Sequence, residues 1–166
     1  MELDILGAHQ CESSDSKLAS LLVDKVMAVD VGGLTSSLSL AEQLRLKSIL
    51  LTHHHFDHVR DLATFGINAY ASGPIPVYAL QSTLEVISTH LLNGVLYPDF
   101  LRRPSPQKPT FRFCPLEPGK EVVIEGYRVL PLPVRHGDVP AVGYWISSPG
   151  GKSLFYTGDT GGGCAS

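Results

Sequence analysis

The sequence is poor in cysteine and has no CxxC pair: Cys11, Cys114 and Cys164 are odd in number and far apart across 166 residues. A disulfide scaffold and a cysteine-built zinc knuckle are both excluded, and free thiols suit a reduced, cytoplasmic compartment. No apolar run reaches the span of a membrane helix. The opening MELDILGAHQ carries acids where a secretory leader carries a basic segment. Charge is also scarce, with 13 basic and 16 acidic residues giving a net charge of -3. That balance leaves no basic footprint for nucleic acid over the chain as a whole. What is present is a core-forming composition, 43% hydrophobic, punctuated by 16 glycines and 12 prolines. One domain over 1–166, rich in turns and short elements, is the expectation.

Apolar segments at 3–7, 18–23 and 26–31 read as strands, with Asp24-Lys25 as a two-residue hairpin turn. Residues 39–46 read as a helix with a capping box between Ser39 and Glu42, and with Leu40 and Leu44 on one face. A buried strand is expected at 48–52, a helix starting within 59–65, a strand at 77–79 and a helix at 82–92. The stretch 101–109, with three prolines, reads as an ordered loop. Short strands follow at 111–114, 121–124, 127–132, 142–146 and 154–156, with hairpins at Glu125-Gly126 and Pro149-Gly150-Gly151. Strands, then helices, then strands again give an α+β layer architecture.

Chemistry concentrates at Thr52-His53-His54-His55-Phe56-Asp57-His58, where four of the seven histidines fall within six residues beside a carboxylate. Imidazole and carboxylate are the preferred ligands of zinc and similar divalent cations. A strand end aims alternate side chains the same way, so His53 and His55 can share one ion while Asp57 and His58 face a second. His54 then points away, and His9 and His90 read as ordinary loop and helix residues. Arg102, Arg103, Lys108 and Arg112 form a run without an acid that reads as a solvated loop, with attraction of a phosphate-bearing substrate as the alternative.

The pattern His53-x-His55-x-Asp57-His58 resembles the HxHxDH signature of the metallo-β-lactamase fold. Pro133-Val134-Arg135-His136, followed by Val142-Gly143-Tyr144, resembles that family's next metal histidine at a strand end. Phe155-Tyr156-Thr157-Gly158-Asp159-Thr160 resembles its strand ending in GDT, and Val29-Asp30-Val31-Gly32 its early supporting aspartate. The segments 34–62, 92–100 and 139–144 resemble the class II cyclic-nucleotide phosphodiesterase group.

The resemblance implies a four-layer αββα fold and two divalent ions, zinc by default with manganese or iron as alternatives. It implies that His53, His55 and His136 hold one ion, and that Asp57 and His58 contribute to the other with Asp159 bridging. Asp57 would also accept a proton, and Asp30 would support the site from behind the ligands. The implied reaction is attack of a metal-activated hydroxide on a small phosphodiester such as a cyclic nucleotide. Alternatives are a thioester or lactone hydrolase, a tRNA 3′-processing-like nuclease, or an inactive metal-binding chain. The family also uses a last metal histidine after its GDT strand, and no histidine follows His136 here. The expectation is therefore a form truncated on its C-terminal side, with one sheet face short of cover and a tendency to associate, for example as a homodimer.

Overall fold

The computed structural model describes residues 1–161; Cys164 lies outside them. The elements are β1 (Leu3–Gly7), β2 (Ser20–Val23), β3 (Met27–Val31), α1 (Leu34–Ser37), α2 (Leu40–Gln43), β4 (Ser48–Leu50), α3 (Phe56–Val59), α4 (Asp61–Asn68), β5 (Ile75–Leu80), α5 (Gln81–His90), β6 (Phe111–Leu116), β7 (Val122–Ile124), β8 (Tyr127–Val134), β9 (Ala141–Ser147) and β10 (Ser153–Tyr156). They build a six-stranded sheet in the order β1-β2-β3-β4-β5-β6 and a four-stranded sheet in the order β10-β9-β8-β7.

Two cores follow from the period-two alternation of strands. Ala28, Val31, Ile49, Leu51 and Val77 face the helices, where they meet Leu34, Leu62, Phe65, Leu84 and Ile87. Leu21, Val23, Met27, Val29 and Leu50 face the other way, against Tyr127, Val129, Val142, Tyr144 and Ile146 of the second sheet. Each such valine, leucine, isoleucine, phenylalanine or methionine side chain fully removed from water contributes roughly 1.5–3 kcal/mol. Tyr144 also ties the sheets, its hydroxyl donating to the Leu51 carbonyl at 2.7 Å. The outer face of the second sheet exposes Val123, Trp145 and Phe155. Three layers of the expected αββα order thus stand among the described residues: helices, the six-stranded sheet and the four-stranded sheet.

Several local expectations are corrected. The β2–β3 turn spans three residues, since Val23 pairs with Met27. Asp24 and Lys25 both take positive φ, 45° and 61°, the left-handed pair that tight hairpins require. The capping box forms as expected, Ser39 accepting from the Glu42 amide and Glu42 from the Ser39 amide. Yet Leu40 and Leu44 are exposed, and Gln43 is buried instead. Gln43 earns its place by hydrogen bonding: its amide donates to the Leu38 carbonyl at 2.9 Å and accepts from Asn68 at 2.8 Å. The helical region after the histidine cluster starts at Phe56, three residues before the expected range, and α1 adds a helical turn that the sequence pattern does not announce.

The β7–β8 hairpin closes at Glu125-Gly126 as expected, with Ile124 opposite Tyr127. Glu125 sits at φ 49° without the short polar side chain that tolerates that region best. Glu125→Asn is expected to stabilise the chain by about 0.5–1 kcal/mol, read as a higher urea midpoint with an unchanged slope.

Strands β3 to β6 are parallel, so their C-terminal ends share one rim. Helix α5 leads back from that rim, and the 91–110 connection lies at the opposite one, where the Ile75 amide donates to the Thr110 carbonyl at 2.8 Å.

Candidate metal centre

The site sits on the rim where β3 and β4 end. β4 delivers Thr52 and His53, both fully buried. The chain then turns into α3, with His55 at its N-cap and Asp57 and His58 in its single turn. Gly32 allows this packing: a Cβ there would lie 1.7 Å from the Asp57 carbonyl oxygen. The second sheet supplies the rest. His136 follows β8, and Asp159 follows β10 after Gly158, which takes φ 58° while pressed against Thr52.

Four imidazoles crowd together. The ring centroid of His53 lies 4.7 Å from that of His55, 4.3 Å from His58 and 4.5 Å from His136. Nε2 of His136 approaches Nδ1 of His55 at 2.9 Å. Two overlapping donor groups result, His53/His55/His136 and His53/His58/Asp159, each with ligand atoms within 4.8 Å of one another. His53 belongs to both.

This donor set fits a divalent cation. Nε2 of His53 and Nε2 of His58 are buried and lack hydrogen-bond partners. Orphaned buried nitrogens are costly unless something binds them. His58 Nε2 lies 3.2 Å from Asp159 Oδ1 and 3.7 Å from Asp57 Oδ2, so carboxylate oxygens stand beside it. Its other nitrogen, Nδ1, meets Asp30 Oδ2 at 2.7 Å. A carboxylate behind an imidazole fixes the ring and leaves the far nitrogen free to coordinate. His53 is held similarly, Nδ1 to Thr52 Oγ1 at 3.0 Å.

Asp30 is the hub of the support. It is fully buried, at φ 55°, and is the extra residue of a bulge: Leu21 pairs with Val29 but Ser20 with Val31. Bulges re-aim side chains beside functional sites. The Asp30 carboxylate accepts from the Thr52 amide at 2.9 Å, from Thr52 Oγ1 at 2.9 Å and from the Tyr156 hydroxyl at 3.2 Å.

The electrostatics follow from the same packing. Burial, and then the neighbouring imidazoles, push the His53 pKa down to about 3, so its ring stays neutral and keeps a lone pair for a cation. Burial also works against protonation of His58, but its hydrogen bond to Asp30 and the surrounding carboxylates outweigh this and raise its pKa. Burial opposes ionisation of Asp159, yet His58, Gln10 and the other histidines hold its pKa below the usual value.

The structure therefore brings together His53, His55, His58, His136 and Asp159, with Asp30 behind them. Asp57 stands one step outward, on an open cleft of about 470 Å³ shared with His55, Phe56, His136, Asp159 and Gln10. His54 lies outside both donor groups, and His9 lines a neighbouring cleft beside His58 and Asp159. His90 ends α5 at the far rim, where Arg102, Arg103 and Lys108 also lie, so the basic loop does not face the histidines. Sequence reading missed the roles of Thr52, Tyr156 and Gln10. Only Thr52 carried a signal, as the polar residue directly before the histidines.

Comparison with known proteins agrees. The "Beta-lactamase superfamily domain" matches residues 28–164. The octanoyltransferase of Porphyromonas gingivalis is 33% identical over 112 residues, 68% of this chain and 21% of that protein. The ribonuclease Z of Bradyrhizobium diazoefficiens is 30% identical over 114 residues, 66% of this chain and 35% of that protein. The crystal structure of unliganded yeast PDE1 superposes with a TM-score of 0.75 at 18% identity, over 95% of this chain and 64% of that one. The chain thus spans about a fifth to a third of the length of the curated relatives it matches. Such a match, together with strand ends that carry histidine and aspartate to one rim in the order the motifs require, means that the chain belongs to the β-lactamase superfamily.

Proposed function

We propose that the chain carries the metal centre of a phosphodiesterase, acting on cyclic nucleotides or similar small phosphodiesters with two zinc ions. The observation that carries this reading is the pair of donor groups joined at His53, open to a cleft with Asp57 on its rim. When bound, a pair of divalent cations supplies Lewis acidity toward a phosphoryl oxygen and activates water as a nucleophile near neutral pH.

The chain's own residues supply the rest. Asp30 and Thr52 hold His58 and His53 so that their Nε2 atoms face inward. Asp57, with Oδ2 3.7 Å from His58 Nε2, is placed to accept the proton of an attacking water. Phe56, which is exposed beside Asp57, gives the cleft an apolar flank for the organic part of a substrate. The name of the ribonuclease Z relative refers to phosphodiester scission, which supports the same reading.

Acyl hydrolysis of a thioester or lactone is the second reading, favoured by the octanoyltransferase relative, although that match covers only 21% of its length. A side-by-side panel separates them. The zinc-loaded protein is expected to hydrolyse bis-p-nitrophenyl phosphate faster than a chromogenic thioester or lactone, and EDTA is expected to abolish the reaction. Turnover of the acyl substrates without phosphodiester cleavage would overturn the first reading in favour of the second.

A further inference from the structure

We infer that Gln10 is a positioning residue for Asp159, fixing how its carboxylate meets the metal centre. Asp159 Oδ1 lies 3.2 Å from His58 Nε2, while Oδ2 accepts a hydrogen bond from Gln10 Nε2 at 3.2 Å. The two oxygens are chemically equivalent, and the terminal torsion of an aspartate is broad. Which oxygen faces His58, and at what angle, is therefore decided by neighbours. Gln10 is the neighbour that grips the outer oxygen, so the inner one stays turned toward His53 and His58.

Gln10 can do this because its loop is anchored on both sides. The loop joins β1 to β2, and at its base the His9 amide donates to the Lys17 carbonyl at 3.0 Å. Two residues beyond Gln10, Glu12 pairs with Arg60. Arg60 Nε donates to Asp61 Oδ1 at 2.9 Å, and Asp61 Oδ2 accepts from the Thr35 amide at 2.7 Å and hydroxyl at 2.8 Å. Lys17 adds a bond from Nζ to the Ser36 carbonyl at 3.1 Å. The loop is thus fastened to α1 and to the start of α4, and its Gln10 side chain reaches over the rim to a residue 149 positions away. Partners that orient a ligand without touching the ion typically govern 10–100-fold of metal affinity.

The inference rests on the metal-centre reading above, and one titration set tests the two apart. Zinc affinity is measured by competition with a chromophoric chelator for the wild type, Gln10→Met, Gln10→Asn and His53→Ala. Gln10→Met keeps the length but has no N–H, and Gln10→Asn keeps the amide but falls short. Both are expected to weaken zinc binding about tenfold, with the unfolding midpoint of the metal-free protein unchanged. Wild-type affinity in both variants, beside a clear loss in His53→Ala, would overturn the role of Gln10 alone. A loss accompanied by a lower metal-free midpoint would also overturn it, by showing a merely structural residue. A wild type that takes up no zinc would overturn the metal centre itself.

Discussion

His53→Ala is expected to remove zinc uptake at both donor groups and to bring phosphodiester turnover to background. His53 is the one residue common to His53/His55/His136 and His53/His58/Asp159. Structural zinc sites bind with roughly 10–16 kcal/mol, so one ligand of four carries about 3 kcal/mol, or roughly a hundredfold in affinity. Here the loss is expected at both groups, because His53 belongs to each. Chelator competition reads the affinity, and circular dichroism of the metal-free variant, expected to overlay the wild type, separates lost ligation from lost fold. Stoichiometry is the discriminating number: a variant that still binds a zinc ion tightly would show that the two groups do not share His53.

The second large effect is at Asp30, where two substitutions are expected to part company. Asp30→Ala strips partners from the Thr52 amide, His58 Nδ1 and the Tyr156 hydroxyl in a fully buried place. Breaking a buried charge-assisted network of this kind costs about 3–5 kcal/mol, a large share of the total stability of a small domain. Asp30→Asn keeps the shape, tolerates the left-handed backbone and still accepts from Thr52. Its amide group, however, faces His58 Nδ1 as a donor. The His58 proton then moves to Nε2, the nitrogen that would coordinate. Asp30→Asn is therefore expected to fold but to bind zinc roughly 10–100-fold more weakly. Urea unfolding of the metal-free proteins and chelator competition measure the two effects separately. Zinc affinity within twofold of wild type in Asp30→Asn would refute the assigned part.

Much of the site was legible because its centre is contiguous: His53, His55, Asp57 and His58 lie within six residues, after a strand whose apolar run is plain. His136 and Asp159 were legible through their motif neighbours, and each stands at a strand end as those motifs imply. The strands themselves are legible from alternation and turn residues, and β1 spans the expected 3–7. What was hidden has a common cause. The contacts of Gln10 with Asp159 and of Tyr156 with Asp30 join positions 149 and 126 residues apart, and no local period records them. The early start of α3 was hidden because a histidine run has no helical pattern of its own. Gln43 was hidden because a buried amide satisfied by two backbone carbonyls and Asn68 looks, in sequence, like any surface glutamine.

The bulge at Asp30 also acts as a frameshift in the strand's two-letter code of sides. Before it, odd positions serve the core between the sheets, as Met27 and Val29 do, and the even Ala28 serves the helical core. After it the assignment is reversed, and the odd Val31 lies under the helices. One inserted residue thus seats a charged group in a strand that is buried along its whole length, while neither core gives up an apolar position. A strand that kept every residue but paired without the bulge would turn Asp30 toward the helices and Val31 toward the wrong layer. Packing and chemistry in this strand are therefore inherited together, as one grammatical unit.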